Sequence, residues 1–229
     1  MDPKFRNPLE GHPRTVETVD AVGLPTFRIT PHVLTPGRAK AADKISFVLF
    51  CLLWMGCLYS VATAPRWDLT EAATTLATGL AGGWVIRWVT HYALRRRTEI
   101  EMSADTIAVR GWLGWRRYSR LMEHRFALHI HDSAAQEYRN NDYLVREAAT
   151  KGRVLNLPAY YGSSFHVVMV YAGHRLDLLT VFGQVEAAAV VSRLQYCDRR
   201  LNEALEMGRG AGERPENDWY DAAGGMNHG

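Results

Sequence analysis

The chain has 229 residues, room for one domain with attachments. Its mean hydropathy of −0.20 excludes a many-helix transporter. A net charge of +3 is too small to argue for nucleic acid, and the three cysteines sit in neither a disulfide framework nor a zinc-knuckle spacing. Cys51, Cys57 and Cys197 are expected as buried thiols, which suits a reducing compartment.

Residues 1–37 hold prolines at positions 3, 8, 13, 25, 31 and 36, too densely for a long helix. A flexible cytosolic tail is expected. The alternative is a short extended piece through Phe27, Ile29 and Val33 that adds to a sheet edge. Acidic residues, prolines and histidines throughout residues 1–44 leave no early apolar core, so a cleaved leader is not expected.

The rest of the chain is organised around residues 38–97, which read as a transmembrane hairpin with helices at about 45–64 and 72–94. Ile45 to Ala64 carries no charge, ends at Pro65, and as a helix measures about 30 Å, the thickness of a hydrocarbon core. The loop from Pro65 to Glu71 is too short for a domain. The second segment is weaker, because its uncharged part from Ala72 to Ile86 is only about 22 Å of helix. It spans if Arg87 and His91 are tolerated, with Arg87 snorkelling to the headgroups. Arg87, His91 and Arg95 recur every four residues and share a helix face. Trp84, Trp88 and Tyr92 gather at the same end, as an interfacial belt does. A helix lying on the membrane surface is the alternative.

Arg38, Lys40 and Lys44 precede the pair, Arg95, Arg96 and Arg97 follow it, and Arg66 alone lies between. The positive-inside rule then puts both termini in the cytosol. Gly79 and Gly83, and Gly56 with Ser60, are spaced for close helix–helix packing, either inside the hairpin or in a dimer.

Residues 98–206 change period. Ile100 to Met102, a turn at Ser103-Ala104-Asp105, and Ile107 to Arg110 read as two strands. Gly111-Trp112-Leu113-Gly114 reads as a hairpin turn before Trp115 to Tyr118. Phe126, Leu128 and Ile130 alternate with Arg125, His129 and His131. Residues 132–160 are a polar insertion, helical or loose. Ser164 to Tyr171 and His174 to Phe182 are strands joined by Ala172-Gly173, a two-residue hairpin signal. Gln184 to Leu205 is an amphipathic helix with Ala187, Val191, Leu194, Leu201 and Leu205 on one face. Gly208, Gly210 and Gly212 are expected to end it. The acidic, glycine-rich stretch over 207–229 is expected to be disordered, with Trp219 and Tyr220 as a candidate docking motif.

The element order resembles bacterial inner-membrane proteins with a pleckstrin-homology-like domain. The residues that carry this are Ile100 through Ile107, Arg110-Gly111-Trp112, and Asp177 through Phe182 followed by the helix from Gln184. The resemblance implies a membrane-anchored α+β chain: a small sheet or partial barrel of hairpins capped by a C-terminal helix. It implies binding or assembly, without catalysis.

Between Arg95 and Arg125 eight arginines face four carboxylates. Basic residues near an anionic leaflet contribute about 1 kcal/mol each. Arg87, Arg95, Arg96, Arg97, Arg116 and Arg117, with Trp112 and Trp115, are therefore the candidate lipid headgroup contacts. The alternative is a solvated basic face over core tryptophans. Aromatic stacking on nucleic acid by Trp112 to Tyr118 is outweighed by the modest charge.

His124, His129 and His131, beside Asp132, lack a completing ligand at a metal-site spacing. Ser163 or Ser164 with His166 and Asp177 supplies the residue types of a triad without a G-x-S-x-G elbow. No metal, cofactor or catalytic residue is assigned. The expected function is a non-enzymatic assembly or protein-binding module at the membrane surface, self-association included. Sensing of anionic lipid is the second reading, and an interfacial hydrolase the third.

Overall fold

The computed structural model describes residues 9–63, 68–111 and 113–212. It is α+β, with antiparallel sheets throughout.

The N-terminal segment corrects the expectation of a flexible tail. Strands β1 (Arg14–Val19) and β2 (Pro25–Thr30) form a hairpin. Asp20 closes its turn, accepting from the backbone N–H groups of Val22 and Leu24, both at 2.9 Å. Gly23 takes a φ of 88°, which a side chain would disfavour. Phe27 and Ile29 alternate with Arg28 and are fully buried, each worth about 1.5–3 kcal/mol of transfer free energy. The prolines mislead because of where they fall. Pro25 opens a strand, Pro31 follows it, and Pro36 begins a helix, all positions where a missing N–H is tolerated.

β2 pairs with β5 (Ile100–Met102), which continues into β6 (Thr106–Gly111) and β7 (Gly114–Ser119). The sheet order is β1-β2-β5-β6-β7. The chain thus leaves this sheet, makes the two long helices, and returns to the strand beside the one it left. A short pair, β3 (His32–Val33) with β4 (Arg96–Arg97), staples the departure to the return.

The second sheet has the order β10-β9-β8, from β8 (His124–Ile130), β9 (Ser164–Tyr171) and β10 (His174–Phe182). The β9–β10 turn has Ala172 at φ 48° and Gly173 at φ 81°, the left-handed pair a two-residue hairpin needs. Ile130, expected on the apolar face, is 63% exposed at the strand end. The two sheets do not join into a closed barrel. The C-terminal helix (Gln184–Gly212) packs on β8, β9, β10 and β2. Ala187, Val190, Leu194, Cys197 and Leu201 face Val167, Met169 and Val181 in one core. Arg193 donates to the carbonyls of Leu9 and Glu10 and to Thr15 Oγ1, fixing the N-terminal segment to that helix. The helix runs past Gly208 and Gly210 to Gly212, so glycine does not stop it where expected. The docking motif at Trp219 and Tyr220 lies outside the described residues.

Helix α1 (Pro36–Thr63) takes in the basic turns that precede the apolar segment, and α2 (Leu69–Ala93) begins three residues earlier than expected. Asp68 caps α2 by accepting from the Thr70 N–H at 2.9 Å. Of the described helices α1 alone is long and apolar enough to cross a membrane, and almost none of that stretch is buried within the protein. α2 falls short of the expectation of a second span by that measure. The two pack side by side as a hairpin. Both present large apolar side chains outward, among them Phe47, Leu52, Met55, Leu80, Trp84 and Trp88.

The insertion contains α3 (Ala134–Thr150), of which Ala134 alone is buried. Glu137 accepts from the backbone N–H groups of Tyr160 (3.0 Å) and Gly162 (2.7 Å), and Tyr138 donates to the Gly162 carbonyl. The C-terminal helix, Gln184–Gly212, is α4.

Candidate functional site

The two long helices meet the sheets through a set of polar contacts. On α1, Asp43 Oδ1 lies 2.9 Å from His91 Nε2 and 3.5 Å from Arg87 on α2. Its other oxygen accepts from the Tyr160 hydroxyl at 2.8 Å. Burial and then the Asp43 bond push the Tyr160 phenol up to about 12, so it stays protonated and donates. Arg95 pairs with Glu186 in the first turn of α4 at 2.9 Å. Arg38 donates to the Leu94 carbonyl at 3.2 Å, bringing the start of α1 to the end of α2. Arg87 and Arg95, expected to meet lipid, are therefore engaged within the protein. Asp43 and Tyr160 escaped the sequence reading. The available signal was that Asp43 is the one carboxylate between Pro36 and Trp67.

Beside this junction, a cleft of about 300 Å³ separates β6 and β7 from β10. Its lining includes Thr35, Arg96, Thr98, Arg110, Arg116 and Thr180. Register explains why. Ile100 stands opposite Val109, so the Gly111 end of β6 lies beside Thr98, close to where α2 ends. The β6–β7 tip consequently stands level with Arg96, and Leu113 on it is 80% exposed. On β7, side chains alternate. Arg116, opposite Val109, lines the cleft, while Arg117, opposite Ala108, lines a separate shallow pocket with Glu101. Arg110 is paired with Glu99 at 2.8 Å and lies 6.0 Å from the Trp115 ring centre. Among the described residues Arg96, Arg97, Arg116 and Arg117 have no ion-pair partner and are exposed. Trp112 lies outside the described residues. Arg120 belongs to no surface. It is buried, with Nε 2.8 Å from Asp198 Oδ1 and Nη1 donating to the Ala104 carbonyl.

The back of the cleft reaches a second cluster. Asp132, His166 and Asp177 each offer a ligand atom, all within 4.8 Å of one another. His166 Nδ1 is 3.0 Å from Thr180 Oγ1, and its buried Nε2 has no hydrogen-bond partner. The His131 ring stacks on it at 4.5 Å between centres. Arg175 already bridges the carboxylates, 2.9 Å from Asp177 and 3.2 Å from Asp132. Its hydrogen bond holds the Asp132 carboxyl below the usual range. The guanidinium stands where a cation would, and the stacked imidazoles do not converge on one point. His124 sits at the other end of β8 on Asp198, so the three neighbouring histidines form no common site. The serine does not meet the histidine either, because Ser164 Oγ donates to the Tyr160 carbonyl at 2.7 Å.

The small residues divide. A Cβ on Gly79 would stand 3.3 Å from Cys57 Sγ, and one on Gly83 would run into the Phe50 ring, so both face α1 inside the hairpin. A Cβ on Gly56 would meet nothing, and Ser60 is exposed.

Comparison of the chain with protein-family models, with curated proteins and with solved structures finds no match.

Proposed function

We propose a non-enzymatic membrane-anchored protein whose α+β domain is held against the cytosolic face of a bacterial inner membrane and engages anionic headgroups there. The observation that carries this is the uncovered apolar surface of the α1–α2 hairpin ending beside the β6–β7 tip and Arg96 and Arg116, which have no ion-pair partner among the described residues. Soluble monomers rarely expose apolar patches larger than a few hundred Å².

The contact between Arg38 and Leu94 puts both helix bases on one side. A bilayer crossed by α1 is therefore recrossed by α2, despite the weaker hydropathy of α2. Asp43 supports that return, since it pairs with Arg87, the charge that shortens the apolar part of α2, and is hydrogen-bonded to His91. From Arg87 to the end of α2 at Ala93 the helix climbs about 9 Å. That is about the roughly 5–8 Å of headgroup layer on each side of a hydrocarbon core. Arg96 and the exposed Leu113 then stand at the outer edge of the headgroups.

A spin label at Leu113→Cys, with the native cysteines replaced, tests the reading in liposomes. Protection from a water-soluble nickel chelate, relative to the same label at Val154→Cys, is expected. Equal accessibility at both positions removes the membrane-surface reading. Assembly with a protein partner is the second reading, and Gly56 and Ser60, facing outward from the hairpin, favour self-association as its form.

A further inference from the structure

We infer that the cleft between β6–β7 and β10 is a binding site for a phosphate group, held by Arg96 and Arg116, which both line it. This rests on the membrane-surface reading for a lipid source of that phosphate, and not for the site itself.

The two guanidiniums reach the cleft from unrelated elements. Arg96 is in the strand that follows α2, and Arg116 is in β7. Neither has a carboxylate partner among the described residues, whereas the neighbouring charges are already matched. Arg110 is satisfied by Glu99 at 2.8 Å, and Asp177, the acid on the lining, by Arg175 at 2.9 Å. Among the described residues the local balance therefore leaves two unpaired cations in one concavity. Thr35 and Thr98 belong to the same lining, and Gly111 lets the backbone approach without a side chain. Guanidinium is suited to phosphate because its planar N–H groups match two oxygens at once. A volume of about 300 Å³ admits a phosphate or a small phosphorylated headgroup, and is at the small end for larger ligands. The diffuse alternative, a basic surface attracted to any anionic membrane, would treat all exposed arginines alike. The cleft distinguishes Arg96 and Arg116 from the rest.

The test uses the full chain in mild detergent, with inorganic phosphate as the probe and chloride at matched ionic strength as control. Phosphate should raise the thermal midpoint. Arg96→Gln or Arg116→Gln should each weaken the apparent affinity about tenfold, as loss of one charge-assisted contact does. Arg139→Gln on α3 should leave it unchanged, and circular dichroism confirms that each variant folds. A second arm uses nanodiscs of phosphatidylcholine with or without phosphatidic acid and no free phosphate. Stabilisation by phosphatidic acid that Arg96→Gln abolishes identifies the headgroup as the source. Stabilisation by inorganic phosphate alone identifies a soluble phosphate. Stabilisation by neither, or equal effects in all three variants, overturns the site. A water-exposed Leu113 label with phosphate binding intact would instead remove the membrane reading and leave the cleft standing.

Discussion

Asp43 on α1 and His91 on α2 lie 2.9 Å apart, at the level where the uncharged part of each helix begins or ends. The same carboxylate holds Tyr160, so one side chain ties together both long helices and the insertion. Asp43→Ala leaves His91 and Tyr160 without their partner. A loss of about 1–3 kcal/mol is expected, seen as a thermal midpoint lower by several degrees in detergent. Asp43→Asn, which keeps an acceptor for Tyr160, should lose less. A midpoint unchanged in Asp43→Ala would show that the junction is held by its other contacts, Arg95 with Glu186 and Arg38 with Leu94.

The buried Arg120 clamps α4 to the first sheet. It reaches Asp198 through side chain and carbonyl, the Ala104 carbonyl, and Asn202. Its side chain is 2% exposed. Arg120→Met leaves Asp198 without its arginine partner and should cost about 3–5 kcal/mol, a large share of the roughly 5–15 kcal/mol typical of a domain. Arg120→Lys should recover part of this, because an ammonium cannot reproduce the fork. Equilibrium denaturation of both variants measures the difference.

His124 should impose a pH dependence on stability. Its Nδ1 faces the Met122 carbonyl at 2.8 Å and its Nε2 faces Asp198 at 3.1 Å, so both nitrogens meet acceptors. The Asp198 bond raises its pKa above the ordinary 6.5 despite burial. A folded value above the unfolded one gives a contribution that is complete below pH 6.5 and lost as pH rises through the folded value. His12, His32 and His131, lowered chiefly by burial, act in the opposite sense. The informative quantity is therefore the difference between wild type and His124→Gln. It should shrink as pH rises above 6.5, and a pH-independent difference would contradict the imidazolium assignment.

Legibility followed periodicity. The β9–β10 hairpin and the α4 face could be read because alternation and spacing of three to four are local properties. The β1–β2 hairpin was obscured by prolines, whose cost depends on which N–H groups the sheet needs, a non-local matter. Arg96 and Arg116 were named from charge, but their convergence depends on the β5–β6 register. Asp43 was unreadable as a partner because its contacts lie 48 and 117 residues away along the chain.

The glycines separate packing inside the hairpin from packing between copies. Gly83→Val forces a side chain against Phe50, and overpacking of this kind costs about 1–3 kcal/mol. It should lower the thermal midpoint whatever the oligomeric state. Gly56→Val meets open space in the single chain, so a monomer should tolerate it with an unchanged midpoint. If a second copy packs on that outer face, as small residues at Gly56 and Ser60 permit, the bulkier side chain holds the helices apart. Cross-linking in liposomes should then show a dimer in wild type that Gly56→Val loses. Equal cross-linking in the two proteins would place any self-association elsewhere than on this face.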